Sequence, residues 1–222
     1  MLPGLSVGSG LMSEKRLTIE RVATPSAQTG DASSYTFSSV NLGTASADRY
    51  VVVVYASQRN PFQTFSSGTI AGVTAINGTQ AGGTTSAYTG RMEAYVPTGT
   101  SGDIVINMSG TVNHMGIIVY VIRGSTTITR QDAEYGTATG TSTLSEGVNF
   151  SRGGIVLGSC GSDSGDYASW TGITTDHSYL VEGTHYAYAF IQEKNVDGSE
   201  VNYDLVTSSS SNRPSLYTTY RP

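Results

Sequence analysis

Short runs of β-branched and aromatic residues recur along the whole chain, and Gly, Asn or Asp residues separate them. This pattern is typical of antiparallel strands joined by tight turns. No sustained apolar period of 3.6 residues, the signature of an amphipathic helix, accompanies it. We therefore predict an all-β protein with about fourteen strands. The predicted strands cover residues 17–22, 33–42, 48–57, 68–76, 90–97, 102–109, 114–123, 126–135, 143–150, 153–160, 168–175, 185–194, 201–209 and 215–221.

Two of these strands show a strict alternation of large and small side chains. Large aromatic residues occupy every second position at Tyr35 and Phe37, and again at Tyr186, Tyr188 and Phe190. Since successive side chains of a strand point to opposite faces of the sheet, we expect these five residues to face the core.

Two other segments are apolar at nearly every position, from Tyr50 to Tyr55 and from Ile117 to Ile122. They are too short for a helix of ordinary length and are rich in β-branched residues. We predict that both are central strands buried on both faces, because such runs are prone to aggregation when they lie at an open edge.

The two parts of the chain, residues 33–124 and 143–222, resemble each other in the order of their strands. Two small sandwiches or one jelly-roll-like antiparallel β-sandwich with interleaved halves would both explain this pseudo-repeat. We favour the single sandwich, over residues 17–222, because the connecting stretch TATGTST is too short and too β-prone for a free linker. The matching segments are Val52–Tyr55 with Ile155–Gly158, Thr69–Val73 with Trp170–Thr174, and Ile117–Ile122 with Leu216–Arg221.

Composition supports the all-β prediction and narrows the range of partners. Val and Ile together outnumber Leu by about three to one, as suits pleated strands. The 12 basic and 17 acidic residues give a net charge of −5, which supplies no positive field for nucleic acid or anionic lipid. We therefore predict no nucleic-acid binding and no membrane partner, and we expect a protein made in a host cytoplasm, since neither a signal-peptide pattern nor a long apolar run is present.

The acidic residues of the second part do not form a recognisable metal site. Asp163, Asp166 and Asp176 lie in a polar stretch, but their spacing fits no known calcium loop. Asp197-Gly198 predicts a hairpin turn between two strands. We therefore predict no bound metal and no cofactor.

Two arrangements carry potential nucleophiles. Residues 4–8 match the pattern G-x-S-x-G, but that motif requires a preceding strand and a following helix, and neither is predicted. The single cysteine, Cys160, could in principle pair with His114, His177 or His185, but it ends an apolar strand and is better explained as a small buried side chain. We predict no catalytic residue.

One pair of aromatic residues is a candidate for binding sugar. Tyr167 and Trp170, next to Gly165 and Gly172, could form an aromatic platform. The alternative is that Trp170, the only tryptophan, fills the core.

The segment from about Ser33 to Gly124 resembles a β-sandwich module that recurs in virion proteins of tailed phages and prophages. The stretches that carry the resemblance are YTFSSVNLGTASADRYVVVVYAS, GTIAGVTAINGT, YVPTGTSGDIVINMSG and HMGIIVYVIRG, with a fainter continuation through GGIVLGSC and WTGITT. The resemblance implies a non-enzymatic structural protein of the virion and carries over no functional residue.

On this basis the leading hypothesis is a capsid decoration or head-surface protein. A neck, tail or fibre component is the alternative within the same class, and a carbohydrate-binding module is the alternative from another class. An enzyme ranks third. The expected partners are other virion proteins, capsid or tail subunits, and further copies of the chain in a homo-oligomer such as a trimer, because long apolar strands must not leave open edges.

Residues 1–16 are predicted to form an extended N-terminal arm that anchors the protein on a partner subunit. The arm is rich in glycine, and a glycine-rich terminus needs a partner to become ordered. Its apolar side chains are the predicted partner-binding residues: Leu2, Leu5, Val7, Leu11 and Met12.

Overall fold

A computed structural model describes most of the chain. The described residues are 15–24, 26–59, 61–82, 87–138, 143–162, 168–171, 175–182, 185–207 and 213–222. Over these ranges the protein is all-β and contains no helix, which confirms the predicted class.

Sixteen strands are present in the described part of the chain, compared with about fourteen expected. β6 and β13 were not predicted, and the segment predicted at 68–76 forms two strands, β4 and β5. The two segments predicted at 102–109 and 114–123 form one long strand, β8. The strands are β1 (Thr18–Arg21), β2 (Ser26–Asn41), β3 (Tyr50–Gln58), β4 (Phe65–Ile70), β5 (Val73–Thr74), β6 (Ile76–Gly82), β7 (Ala87–Tyr95), β8 (Ser101–Arg123), β9 (Thr129–Ala138), β10 (Thr143–Phe150), β11 (Ile155–Ser162), β12 (Ala168–Thr171), β13 (Thr175–Glu182), β14 (His185–Glu193), β15 (Gly198–Thr207) and β16 (Arg213–Arg221).

The strands form three antiparallel sheets. The first sheet has the order β5-β4-β8-β3-β7-β6, and β1 and β2 also pair with β8. The second sheet has the order β13-β14-β11-β16-β9, and the third has the order β10-β15-β12. Every pairing described joins strands of the same part of the chain, β1–β8 or β9–β16, so the two parts are not interleaved in the way that we expected.

The pairings give the two parts the same strand order. β3 lies between β8 and β7, and β11 lies between β16 and β14. The first half of β8 pairs with β2 and β4, just as β15 pairs with β10 and β12. β8 therefore corresponds to two strands of the second part. Its first half is equivalent to β15 and its second half to β16.

Three apolar cores follow from this arrangement, in place of the single core of one sandwich. The first sheet curls around the first core, and both halves of β8 contribute to it, for example Ile106 and Val119. The second core joins the two parts, with Val52 and Tyr120 on one side and Leu157 and Tyr220 on the other. The third core lies between the second and third sheets and contains Val148, Phe150, Val156, Cys160, Trp170, Tyr203 and Tyr217.

The predicted central strands are indeed buried on both faces. Val51 and Val53 belong to the first core, whereas Val52 and Val54 belong to the second. The residues from Ile117 to Ile122 divide in the same way. The prediction that Tyr35 faces the core is also confirmed, since its side chain is buried, and Phe37 is buried beside it.

The predicted hairpin at Asp197-Gly198 is wrong. This dipeptide connects β14 to β15, which belong to different sheets and do not pair. Asp197 instead accepts a hydrogen bond from the backbone N–H of Arg152, with 2.8 Å between Oδ1 and N. The chain does turn at Asp197-Gly198, but the strand that follows, β15, lies in the third sheet and does not pair with β14.

Candidate interaction site at the arm root and the sheet seam

The described chain begins at a fixed place between the two parts. Leu17 is buried in the second core, and its N–H donates a hydrogen bond of 2.7 Å to the carbonyl oxygen of Gly153. Arg16 donates from Nη1 to Oδ1 of Asn195 at 2.9 Å. We call residues 15–17 the arm root. Its contacts fix the backbone at the start of the described residues.

Two glycines close around the arm root. Gly124 has a φ of 109° and Gly153 a φ of 76°, a region that favours glycine. A Cβ atom at Gly124 would lie 2.1 Å from the carbonyl oxygen of Arg16, and one at Gly153 would lie 2.5 Å from that of Lys15. The backbone of the arm root is therefore held in direct contact with two turns, one from each part of the chain.

The predicted partner-binding residues all precede the arm root. Leu2, Leu5, Val7, Leu11 and Met12 lie outside the described residues, as does the G-x-S-x-G match at residues 4–8.

The first sheet leaves one seam that strand pairing does not close. The seam separates residues 22–28 from residues 36–41, and among the described strands none pairs across it. Side-chain amides bridge it instead. Nδ2 of Asn41 donates to the carbonyl oxygen of Val22 at 2.6 Å, and Nε2 of Gln28 donates to that of Thr36.

Beside these bridges the seam opens as a groove of about 290 Å³. Val22, Ala23 and Val40 are half-buried and pack against the first core. No charged side chain lines the groove, whose walls come from residues 22–24, 26, 38, 40 and 41. It is an uncharged slot along an edge strand, with three apolar and four polar lining residues, and sheet edges of this kind can accept an added strand.

The most deeply buried arginine of the loops next to the seam has a structural role. Arg49 is fully buried and donates to the carbonyl oxygens of Val96 at 2.6 Å, Gly43 at 2.9 Å and Thr98 at 2.6 Å, with a longer bond of 3.2 Å to Leu42. Its guanidinium thus holds together the loops before β3 and after β7. The N–H groups with which it could bind a ligand already donate to backbone oxygens.

A second buried polar group joins the two parts. Thr89, Arg91 and Glu93 occupy alternate positions of β7 and are all buried. Burial lowers the pKa of Arg91 to about 10, although Glu93 nearby opposes the shift. Tyr220 donates to Oε2 of Glu93 at 2.6 Å. Arg91 and Glu93 are inaccessible to a substrate, with 0% and 2% of their surface exposed.

Sequence reasoning missed these two arginines and the seam. In the stretch GRMEAYVP, the alternation of charged and apolar residues suggests that Arg91 and Glu93 face solvent. They face the second part of the chain instead, so only knowledge of the stacking could have identified them.

The structure separates the candidate nucleophile from one candidate base. Cys160 is fully buried in the third core, whereas His114 is a buried residue of β8 in the first sheet. His177 lies beside Asp176 and Arg21, and its pKa is lowered by burial and by the Arg21 charge. The side chain of His185 lies outside the described residues.

The acidic residues of the second part are distributed among structural contacts. Asp176 accepts a hydrogen bond of 2.8 Å from Tyr120 and forms an ion pair of 3.3 Å with Arg21. Asp163 and Asp166 lie outside the described residues. Within the described part of the chain, no three His, Cys, Asp or Glu side chains are grouped so as to hold a metal ion.

The position of Trp170 favours the core alternative. Its side chain is only 7% exposed and belongs to the third core. A ring so covered offers little surface to a sugar. Tyr167, the other half of the proposed platform, lies outside the described residues.

Comparisons with known proteins identify no relative. No family model matches the chain, and neither a curated protein nor a solved structure is significantly similar to it. A search of the described residues for a helix long and apolar enough to cross a membrane finds none.

Proposed function

We propose that this chain is a non-enzymatic structural protein of a tailed-phage virion, a decoration protein of the capsid surface that binds neighbouring subunits through its N-terminal arm. Its place is then the assembled virion, after synthesis in the host cytoplasm, and its partners are capsid subunits and further copies of itself. In this proposal each part of the chain is one jelly-roll-like sandwich, and the two sandwiches are stacked through the second core.

The observation that carries the proposal is the arm root. Backbone contacts from Gly124 and Gly153 hold residues 15–17 at the junction of the two sandwiches. A binding segment works best when its base is rigid, because the entropy lost on binding is then confined to the segment itself.

The use of the buried polar groups supports a static role. Arg49 binds backbone oxygens, and Arg91 and Glu93 fasten the two sandwiches to each other. An enzyme needs titratable groups in an accessible pocket, and these groups are buried in structural contacts.

Self-association is part of the proposal. β6 and β9 end their sheets and lie against each other, since Thr137 donates a hydrogen bond of 2.9 Å to the carbonyl oxygen of Gly82. Beside this contact Ile76 and Tyr135 are each 60% exposed. Exposed apolar side chains of this size are surfaces that proteins cover by association. We propose a closed homo-oligomer, a trimer, as the simplest way to cover them.

The test is a count of copies in purified particles. Quantitative mass spectrometry and cryo-electron microscopy of virions from a host strain producing the chain should find it on the capsid surface at hundreds of copies. A handful of copies at the neck or fibre would move the protein to the alternative location, and absence from particles would overturn the proposal. A glycan array on the purified protein tests the carbohydrate-binding alternative.

A further inference from the structure

The seam of the first sheet has the features of a sheet that lacks one strand. The carbonyl oxygens of Val22 and Thr36 point into the seam, where amides of Asn41 and Gln28 donate to them. In a complete sheet the N–H groups of a neighbouring strand would supply such bonds. Side chains thus take the place of a strand at both ends of the groove.

The backbone along the seam is also irregular. The pairing of β2 with β8 shifts register between Phe37 and Val40, and Ser39 between them has a φ of 53°, which is unusual for a residue other than glycine. Asp103 fixes this bulge by accepting a hydrogen bond of 2.8 Å from the N–H of Ser39. Bulges of this kind end regular pairing and re-aim an edge strand.

We propose that the seam binds one extended strand, and that the strand is residues 4–12 from the arm of a second copy of this chain. The inference rests on the proposed function, in which the N-terminal arm is the segment that binds neighbouring subunits. It adds that the seam is the surface to which the arm binds. Strand addition to a sheet edge is a general mode of peptide recognition in which backbone bonds give affinity and side-chain pockets give specificity.

The side chains of the arm match the groove. In an extended strand Leu5, Val7 and Leu11 lie on one face, and the residues between them are small. The face with the three large side chains would cover the half-buried side chains of Val22 and Val40.

The charges match as well. Residues 1–13 contain no charged side chain, and none lines the groove. An uncharged segment enters an uncharged slot without the cost of burying an unpaired charge.

The direction of the chain favours a second copy over the same copy. From the arm root, β1 runs towards Val22, so the groove begins about 20 Å along the chain beyond the root. An arm that filled its own groove would have to reverse direction next to Arg16 and Leu17, which are held in place, whereas an arm from another copy needs no reversal.

Cross-linking of full-length chains tests the proposal. One copy carries Val7→Cys, the other carries Val40→Cys and a larger tag, and a short bis-maleimide is added to the mixture. The native Cys160 is fully buried, and unsubstituted protein gives the background. As a matched control, Val196→Cys places a thiol on an exposed aliphatic position after β14 instead of the seam.

We expect at least about ten times more product of mixed size from positions 7 and 40 than from positions 7 and 196. A chain carrying both Val7→Cys and Val40→Cys should give cross-linked oligomers. The amount of internally linked monomer should be small at every protein concentration. Internally linked monomer that persists on dilution would overturn the proposal in favour of an arm folded onto its own copy. Equal yields from the two position pairs would overturn it as well.

A second measurement separates this inference from the proposed function. Ser38 is an exposed residue of the groove wall. Ser38→Asp in the chain that carries Val40→Cys should abolish the specific cross-link while the melting temperature of the protein changes little. Val196→Asp, at an exposed aliphatic position away from the seam, should leave the cross-link intact. If neither substitution affects a cross-link and the arm is still required for incorporation into particles, the arm binds another virion protein. In that case the inference fails and the proposed function stands. If the specific cross-link forms but the protein is absent from particles, the proposed function fails.

Discussion

Arg91 of the first sheet donates a hydrogen bond from Nη2 to the carbonyl oxygen of Leu216 in the second sheet, at 2.7 Å. Two positions further along β7, Glu93 accepts one from Tyr220, also in the second sheet. An arginine and a glutamate, both buried, thus reach from one strand across the junction of the two sheets.

Loss of Arg91 alone should be strongly destabilising. Arg91→Met would leave the Glu93 carboxylate buried without the neighbouring positive charge, and such a change costs about 3 kcal/mol or more. The double variant Arg91→Met, Glu93→Gln removes both charges and should recover much of that loss. Urea unfolding of the wild type, both single variants and the double variant measures the coupling between the two residues. A double variant less stable than Arg91→Met would contradict this account of the junction.

The fit of the arm root between two turns can be tested at one glycine. Gly124→Ala introduces a Cβ atom 2.1 Å from the carbonyl oxygen of Arg16, in addition to the strain of a positive φ. Gly30 is the matched control, because its φ is 101° and nothing lies within 4 Å of the added Cβ. Gly30→Ala should cost about 1 kcal/mol and Gly124→Ala at least about 3 kcal/mol by thermal unfolding. Equal losses would show that the arm root does not press against Gly124.

The single tryptophan reports directly on the third core. Because Trp170 is 7% exposed, its fluorescence should be blue-shifted and resistant to acrylamide in the folded protein, and should become quenchable in urea. Trp170→Ala should cost about 3–5 kcal/mol. Strong quenching in the folded state, or a spectral change on adding oligosaccharides, would show that Trp170 is accessible and would favour the sugar-binding alternative.

Asp48 should make stability depend on pH in the acid range. Hydrogen bonds from Ser46 and from the N–H of Gly124, at 2.6 and 2.9 Å, lower the pKa of Asp48 because they favour the charged form. Since the folded pKa lies below the unfolded value of about 3.9, the contribution is complete above that pH and is lost as the pH falls through the folded pKa.

Asp48→Asn should therefore lower stability by about 1 kcal/mol at pH 7 and progressively less below about pH 4. Asp31→Asn is the control, because Asp31 is in an exposed ion pair with Arg59 and should contribute little. Urea unfolding between pH 7 and pH 2.5 compares the two variants. A deficit for Asp48→Asn that stays constant across this range would rule out the linkage.

The strands that could be predicted from the sequence are those whose own side chains show a clear pattern of burial. The continuous apolar run of β3 and the alternation around Tyr35 are local signals of burial, and both were interpreted correctly. β6 was missed because INGTQAG is rich in turn-forming and polar residues, and only its pairing with β7 makes it a strand. The strand predicted over 102–109 was expected to end there, yet β8 continues to Arg123.

The stacking of the two parts of the chain could not be predicted for a different reason. A strand such as β11 is buried on both faces whether it lies inside one large sandwich or between two small ones, so its sequence is the same in either case. The seam was equally hidden, because it depends on where β1 and β2 leave the edge of β8. The arm was predicted from composition, but its root at Gly124 and Gly153 depends on contacts between distant parts of the chain.

Two deletions that differ by four residues should separate the arm from the fold. In the proposed function residues 1–13 bind a partner subunit instead of their own fold, so their removal should leave the melting temperature nearly unchanged. Removal of residues 1–17 also takes away Leu17, which is 1% exposed in the second core, and its hydrogen bond to Gly153. That deletion should cost about 3 kcal/mol or more, since it leaves a cavity in the second core. Calorimetry measures both effects, and incorporation into particles should already be lost with the shorter deletion. A protein lacking residues 1–13 that unfolds in isolation, or that still occupies every site on the particle, would show that the arm belongs to the fold or is not the anchor.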